Sequence, residues 1–369
     1  MLVSNVRKVI DDELSVVFLS DDKSIWCEME RNVRDYVPID YAFYNIIYQK
    51  KYFEALYDDY TDISIVILRG GIPIGLWPLA YWRMNDAYII GSNGLEVLPP
   101  LIVNNNLTTE ARRKIFKKCI NILERVCDEM NISSYCVKEV LMKNGYSAWS
   151  QCFLENNAYV RNVSMGCFVD LSLPLDTILE KMRRTNRYSI KKAKSLWKSK
   201  IVTKNDDVDT INSTFRQFRK LHMEVAGRET RSKDTWDIQC EALKNSDDFV
   251  ILLYNKEHEL IGASLYSTTK TNVTYSVAAY KRELFKQPVG HISQWLAIEY
   301  AKKLNKQWYY IGQRPYSNDF LKPTAKEIAI GHFKEGFATN FYPTIYSVCE
   351  IKKEQKFEIL SFNSGEMWF

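Results

Sequence analysis

The order of predicted elements in the first half of this 369-residue sequence returns in its second half. In the first half, ISIVIL-RGG-IPIGLWPLAYW reads as strand, tight turn and strand, and DAYIIGS as a third strand. The helix TTEARRKIFKKCINILERVCDEM and the strand SSYCVKEVL follow. Such a repeat constrains the fold more than any short motif, because each copy must form a similar packed unit.

The second half presents the same series. DFVILLYNKEHELIGASLYST reads as a hairpin, NVTYSVAAY as a strand, GHISQWLAIEYAKKL as a helix and QWYYIG as the strand after it. Each half also begins with helical sequence: YAFYNIIYQKKYFEALY in the first, and residues 176–200 with TINSTFRQFRKLHMEVAG in the second.

This order predicts an α/β protein (α+β mixed sheets) with two domains of similar plan. The helix between the third and fourth strands is a crossover, which should make those two strands parallel. We place the first domain at residues 1–160 and the second at 161–355. We expect the tail, 356–369, to pack back on the first domain, and a ligand to bind in a cleft between the domains.

Charge and cysteine usage exclude several function classes. The 50 basic and 45 acidic side chains nearly cancel, so no overall field predicts a DNA-binding protein. The eight cysteines and four histidines are scattered without metal-ligand spacing, which predicts no metal site and reduced, mostly buried thiols. The N-terminus has no signal-peptide pattern and no apolar run reaches about 18 residues. We therefore expect a cytoplasmic protein without a transmembrane segment.

The segment KMRRTNRYSIKKAKSLWKSK, residues 181–200, carries nine Lys or Arg and no Asp or Glu. A helix here would have along one side Ile178, Met182, Ser189 or Ile190, Ala193 and Trp197, with a break near Thr185–Asn186. It could be an ordinary solvated face, but the absence of acidic residues favours an anionic partner. A membrane-surface helix would need a stronger apolar face.

Three further segments could carry chemistry. In YSVAAYKRELFKQPVGHISQWLAIEYAKK, a strand leads through a turn with Pro288 and Gly290 into a helix that begins near His291. Such a turn can present free N–H groups to a phosphate, but a plain strand–helix connection has the same pattern.

In LHMEVAGRETRSKDTW, Arg228 and Arg231 flank a turn begun by Gly227, with Ser232 as the predicted N-cap of the next helix. Two arginines on a turn suit the capture of a carboxylate or phosphate. They could equally pair with neighbouring acidic residues.

The segment YYIGQRPYSNDFLKPTAKEIAIGHFKEGFATNFYP places Arg314, Tyr316 and Asp319 in a polar loop after a strand. A short amphipathic stretch then leads to Phe333 and Lys334, between apolar neighbours. A lysine held among aromatic rings can stabilise an oxyanion, although a surface lysine fits the same residue pattern.

The basic stretch NRYSIKKAKS, the segment VGHISQWLAIEYAKK and the closing IGHFKEGFATNF, in this order, resemble the FemABX-like superfamily of tandem GNAT-type acyltransferases. The resemblance covers the second half well and the first half through its repeat pattern. It implies two tandem GNAT-like domains with a cleft between them. Members of this superfamily move an aminoacyl group from charged tRNA to a cell-wall precursor amine, and relatives acylate other amines.

The resemblance also implies roles for residues. Lys334 matches the lysine of the closing signature, which stabilises the acyl-transfer transition state, with Phe333 beside it. Arg228 or Arg231 matches a substrate-phosphate arginine, and we add Arg314 as a substrate-binding candidate. For the donor we name Arg187, Lys191, Pro288, Gly290 and His291.

We therefore predict N-acyl or aminoacyl transfer to an amine of a cell-surface glycan or cell-wall precursor. No cofactor is tightly bound, and the acyl donor is aminoacyl-tRNA or acyl-CoA. Candidates for the general base are Asp319, Tyr316, Glu327 and His291. No Ser/His/Asp or Cys/His arrangement predicts a covalent intermediate. The alternatives are an acyl-CoA-dependent enzyme acting on an amino sugar, and a non-catalytic module that binds a glycan or RNA.

Overall fold

The computed structural model describes residues 2–33, 36–103, 106–142, 146–320 and 322–351. The chain divides into two compact units. Of the described residues, the first unit contains 2–33, 40–164 and 343–351, and the second contains 36–39 and 165–342. The chain thus leaves the first unit at residue 164 and returns to it at residue 343. The predicted tail, 356–369, lies outside the described residues.

The first unit has helices α1 to α5 at Leu2–Glu13, Lys23–Asn32, Phe43–Phe53, Thr109–Glu129 and Ala148–Leu154, and a 3-10 turn at Ile39–Tyr41 begins just before it. Its strands β1 to β8 are Val16–Phe18, Asp58–Asp62, Ile65–Arg69, Ile72–Trp77, Ala80–Met84, Ala87–Gly91, Leu101–Ile102 and Ser134–Val140. They form a sheet in the order β1-β3-β4-β7 and another in the order β2-β5-β6. β8 pairs antiparallel with residues 344–350.

One predicted strand of the first unit is two strands in different sheets. The sequence IPIGLWPLAYW was expected to continue from residue 72 to residue 82, but β4 ends at Trp77 and β5 begins at Ala80. Pro78 lies between them. Proline has no N–H group to donate to a neighbouring strand, and it therefore interrupts the ladder here.

The predicted long helix is confirmed as α4. Thr108 caps its N-terminus by accepting a hydrogen bond from the backbone N–H of Ala111. Cys119, Ile122, Leu123 and Val126, which recur at helical spacing, are fully buried in the core of the first unit. The helical period of the apolar residues therefore decides both the element and the side that it buries.

The second unit has helices α6 to α11 at Leu175–Lys181, Arg184–Leu196, Val208–Ala226, Lys233–Asn245, Val289–Lys303 and Ala325–Glu335, with a 3-10 turn at Arg282–Leu284. Its strands begin with the second part of β9 (Tyr159–Asp170) and continue with β10 to β14 at Lys198–Thr203, Phe249–Tyr254, Leu260–Thr268, Asn272–Tyr280 and Trp308–Arg314. The last strand, β15, is Asn340–Glu350.

The sheet of the second unit has the order β10-β11-β12-β13-β14-β9. Its strands are antiparallel except for β13 and β14, which are parallel, as the crossover helix predicts. The same prediction is wrong for the first unit, where the corresponding strands β6 and β8 are not neighbours in a sheet. Side chains of β11 alternate between two cores: Phe249, Ile251 and Leu253 pack with α10, while Val250 and Leu252 pack with α8 and α9. A continuous apolar run is needed because both faces of this strand are covered.

The basic segment is divided differently from the prediction. Its helix breaks at Met182–Arg183 rather than near Thr185–Asn186, and residues 198–200 belong to β10 instead of the helix. Pairing with β11 overrides the local helical pattern, since it satisfies the backbone of residues 198–203 along a buried strand. Of the predicted apolar side, Ile178, Met182 and Ala193 are buried, whereas Trp197 is only partly buried and lies in extended backbone after the helix.

Candidate functional site

The parallel strands β13 and β14 pair over only three residues each. The pairs run from Asn272 with Trp308 to Thr274 with Tyr310, and none is formed beyond them. We call the region after Thr274 and Tyr310, residues 275–280 and 311–314, the fork. A strand edge without a partner strand leaves backbone N–H and C=O groups available to a ligand.

A bulge in β14 shapes the fork. The register with β9 shifts between Tyr310 and Gly312, and Gly312 has a φ angle of 131°. This backbone conformation favours glycine because a Cβ atom is strained in it. A β-bulge bends its strand and redirects the neighbouring side chains, so the shift at Gly312 accompanies the end of the pairing with β13.

Lys334 places its ammonium group at the fork. It lies in the last turn of α11, a helix fixed at its start by a capping box between Thr324 and Glu327. Its Nζ lies 6.0 Å from the centre of the Tyr275 ring. The same atom faces Gly312, where an added Cβ would be only 2.5 Å away. Residues from β13, β14 and α11 therefore meet at one point.

The surroundings of Lys334 lower its pKa. The side chain is partly exposed, yet protein atoms surround the ammonium group, and this burial lowers the pKa of Lys334 to about 8. No ion pair holds Lys334 within the part of the chain that the structure describes. A desolvated cation without a carboxylate partner is available to stabilise negative charge on a bound molecule.

Cys167 is the thiol next to this lysine, and it is not a nucleophile. It pairs with Gly312 across β9 and β14 and is fully buried. Burial raises the pKa of Cys167 to about 12, so the thiol stays protonated at neutral pH. A buried, protonated thiol does not favour an acyl-cysteine intermediate at the fork.

Two tyrosines extend from the fork into a network of hydroxyl groups. The Oη atoms of Tyr275 and Tyr280 are 3.5 Å apart. Behind them, the hydroxyl groups of Ser264 and Ser293 are 2.5 Å apart, and Tyr266 lies 3.0 Å from the latter. Burial raises the pKa values of Tyr275 and Tyr280, so both phenols are neutral and can donate a proton.

Gly290, His291 and Phe333, which the sequence singled out separately, lie together. His291 contacts the Phe333 ring edge to face, with ring centres 5.1 Å apart. A Cβ at Gly290 would be 3.3 Å from Phe333. Burial lowers the pKa of His291 to about 4, and the ring is neutral at pH 7. Pro288 is the N-cap residue of α10 and supplies no side-chain cap.

Arg314 binds a carboxylate of the same helix that carries Lys334. Its Nε donates to Glu335 at 3.0 Å, and Arg183 donates to the same carboxylate oxygen at 3.3 Å. Arg183 also donates its backbone N–H to the carbonyl of Gly336. The start of α7 is thereby attached to the end of α11, one residue beyond Lys334.

Tyr316, Asp319 and Glu327 have local structural roles. Asp319 accepts a hydrogen bond from the backbone N–H of Tyr316 at 2.9 Å and closes a turn. Tyr316 is exposed and lies under the Arg314 guanidinium, at 4.7 Å. The Glu327 carboxylate is occupied by the cap of α11. The structure places none of these three in contact with Lys334.

Arg228 and Arg231 lie at the turn between α8 and α9, which Gly227 begins with a φ of 73°. Arg231 is buried, with its guanidinium 3.7 Å from the centre of the Trp236 ring and a hydrogen bond to Gln239. Arg228 is exposed. The contacts of Arg231 with Trp236 and Gln239 attach this turn to α9.

Among the described residues, few acidic side chains pair with the basic residues of α7. Lys191 and Tyr188 are exposed, and Arg187 donates weakly to the carbonyl of Glu180 at 3.4 Å. Lys194 pairs with Glu299 at 3.6 Å. The helix thus keeps a cationic outer face next to the end of α11.

No group of three or more His, Cys, Asp or Glu could hold a metal ion in the described parts of the chain. All eight cysteines are free thiols. Among the described helices, none is long and apolar enough to cross a membrane.

The sequence reasoning missed Tyr275, Tyr280, Gly312 and Cys167. A single glycine within the apolar strand WYYIGQR is a signal for a bulge, and it was available in the sequence. The two tyrosines gave no comparable signal, since aromatic residues are common in strands. Only the end of the β13–β14 pairing identifies them as lining a site.

Part of the second unit matches a known family model. The family model of the acetyltransferase (GNAT) domain matches residues 180–317. This range includes β13, α10 and β14, the elements that form the fork. No curated protein is significantly similar to the chain in sequence.

Solved structures share the fold at low identity. FemX matches with a TM-score of 0.61 and 11% identity, over 89% of this chain and 97% of that one. The C-terminal domain of an Agrobacterium fabrum protein provisionally named lysylphosphatidylglycerol synthetase gives 0.56 and 10%, over 88% and 92%. L-PGS from Bacillus licheniformis gives 0.51 and 11%, over 78% and 83%. The predicted resemblance to FemABX-like GNAT proteins is confirmed in the fold.

Proposed function

We propose that this GNAT-type acyltransferase moves an acyl or aminoacyl group from an activated ester or thioester to an amine, with the reacting carbonyl bound at the fork. The observation that carries the proposal is the Lys334 ammonium group, held between Tyr275 and Gly312 without a carboxylate partner in the described structure. A catalytic cation needs this arrangement, because a nearby carboxylate would neutralise it.

Residues of this chain can serve each bond change and proton transfer of the reaction. The acceptor nitrogen attacks the carbonyl carbon and forms a C–N bond, and Lys334 stabilises the oxyanion that develops. The C–O or C–S bond to the donor then breaks. The leaving oxygen or sulfur takes up a proton, which the neutral phenol of Tyr275 or Tyr280 can donate, while the nitrogen releases one. Of the four predicted candidates for the base, His291 packs against Phe333, next to Lys334, and its ring is neutral at pH 7. Asp319, Tyr316 and Glu327 have local structural roles instead.

The cationic face of α7 supports a phosphate-rich donor. Arg183 attaches this helix to the end of α11, so its exposed basic residues lie near the helix that carries Lys334. Aminoacyl-tRNA and acyl-CoA both carry phosphates. The fold shared with FemX favours the first donor, and a cell-wall or cell-surface glycan precursor as acceptor.

An acyl-CoA donor is the second candidate. The matching family model is that of an acetyltransferase domain, and the unpaired edge of β13 could bind an extended acyl-donor chain. The acceptor would then be an amino sugar.

One experiment distinguishes these proposals. Purified protein is incubated with a mixture of radiolabelled aminoacyl-tRNAs, and separately with labelled acetyl-CoA, each with amine acceptors that include a lysine-containing muropeptide and glucosamine. We expect the label to move to an amine from one donor, and Lys334→Met to abolish this transfer. If neither donor loses its label with any acceptor, acyl transfer is the wrong function and the binding module is the better account.

A further inference from the structure

A groove runs between α8 and α9, which pack with Val277 and Ala279 in one core, whereas Tyr275 and Tyr280 pack against the other core. Its volume is about 490 Å³, within the range of sites that bind small molecules. One wall carries Arg216, Lys220 and Met223, spaced by four and three residues along α8. Each wall is one face of a helix, so the groove follows the helix axes.

Lining residues of the groove come from both ends of the α8–α9 pair. At one end, Cys240 donates its thiol hydrogen to the side-chain oxygen of Asn212, at 3.5 Å. At the other end lie Met223 and Lys233, close to the turn that Gly227 begins. Residues 212 to 223 span about 16 Å at the helical rise. A lining spread over this length can accommodate an extended chain.

The floor of the groove is apolar. Phe215, Trp236 and Cys240 are each less than a tenth exposed, whereas Met223 is 36% exposed at the open end. Burial of a hydrocarbon chain against these side chains would contribute through the hydrophobic effect.

The rim of the groove is cationic. It carries Arg216, Arg219, Lys220 and Lys233, against one carboxylate, Asp237. Lys233 pairs with Asp237 and Arg219 with Glu229, but no ion pair with a described residue holds Arg216 or Lys220. Arg216 and Lys220 are exposed. Their charges therefore face outward, where a layer of headgroups would lie, and not into an enclosed ligand.

We propose that this groove binds one acyl chain of an anionic phospholipid at a membrane surface, with the lipid phosphate held by Arg216 and Lys220. Charge complementarity supports an anionic lipid, because Lys and Arg side chains near such a surface are attracted by its negative potential. The apolar floor distinguishes this site from the cationic face of α7, which offers charge without a groove. The inference does not depend on acyl transfer.

The test is flotation of the full chain with vesicles of dioleoylphosphatidylglycerol, compared with vesicles of dioleoylphosphatidylcholine. We expect binding to the anionic vesicles only, part of which persists at high salt because a chain is inserted. The variant R216Q/K220Q should weaken binding at least tenfold. Lys191→Gln with Lys192→Gln removes the same charge from α7 and serves as the matched control, with a smaller effect.

Cys240→Phe tests the floor, because the larger ring fills the groove without changing its charge. We expect it to remove the salt-resistant part of the binding. Thermal unfolding and circular dichroism of each variant establish that it folds. Binding that R216Q/K220Q and Cys240→Phe leave unchanged would overturn the proposal, and so would equal binding to both kinds of vesicle, or binding lost only in the α7 variant.

Discussion

Gly312 and Lys334 share one small volume: a Cβ on residue 312 would lie 2.5 Å from Lys334 Nζ and 3.1 Å from its Cδ. Glycine is required at position 312 for two reasons. There is no space for a Cβ atom beside Lys334, and residues with a side chain rarely adopt a φ of 131°. The position of the catalytic candidate thus depends on a missing methyl group in the neighbouring strand.

Gly312→Ala should displace the lysine and lower kcat by at least tenfold. Gly227→Ala is the matched control, because it has positive φ but open space around the added Cβ. Its backbone strain should cost about 1–2 kcal/mol of stability and leave turnover unchanged. Steady-state kinetics and urea unfolding of both variants check this, and equal kinetic effects would contradict it.

Lys334→Met should lower kcat on the order of 10²–10³-fold, the usual effect of removing one donor to an oxyanion. The variant should be at least as stable as the parent protein, because the cation that it removes is desolvated and unpaired in the described structure. Lys334→Arg keeps the charge and should retain part of the activity. If the methionine variant turns over normally, Lys334 has no part in the chemistry.

The pH dependence of turnover should reflect Lys334. With a pKa of about 8 the side chain is a cation below this pH and neutral above it. Oxyanion stabilisation is therefore lost as the pH rises through about 8. Arginine stays charged over this range. The ratio of parent turnover to Lys334→Arg turnover should therefore fall between pH 7 and 9. Ionisation of the acceptor amine affects both enzymes equally and cancels in this ratio. A ratio that rises over this range would instead indicate that neutral lysine acts as a base.

Arg187→Gln combined with Lys191→Gln should weaken donor binding and reduce its salt dependence, if α7 contacts donor phosphates. Lys256→Gln with Lys270→Gln, at two exposed lysines elsewhere in the second unit, removes equal charge and serves as the control. The measurement is the donor Kd between 50 and 300 mM salt. A Kd that is independent of salt, or equal in both double variants, would identify α7 as an ordinary solvated helix.

Asp248 should make the second unit more stable in mild acid. It is buried and accepts hydrogen bonds from Thr268, and burial raises the pKa of Asp248 to about 6. The folded state then binds the proton more tightly than the unfolded state. The free energy of unfolding should rise as the pH falls from about 6 to 4, by up to about 3 kcal/mol from this group. Urea unfolding of the parent protein relative to Asp248→Asn between pH 4 and 7 should show this difference, and a constant difference would exclude it.

The site was predictable where a residue has a chemical reason to be there. The Phe333–Lys334 pair was singled out by sequence, and the structure places it at the fork. Arg314 was also singled out, as a candidate for binding the substrate. In the structure its guanidinium binds the carboxylate of Glu335. A sequence shows that an arginine can capture a carboxylate, and it does not show that the carboxylate belongs to the same protein.

The sequence by itself determined the elements whose signal is local: the helical period of α4, the apolar run of β11 and the crossover that makes β13 and β14 parallel. Only the tertiary structure decided that residues 198–203 form a strand, that Pro78 separates two sheets, and that Tyr275, Gly312 and Lys334 meet. Periodicity is set by neighbours a few residues apart, whereas pairing, bulges and the desolvation of an ammonium group arise from residues that are distant along the chain.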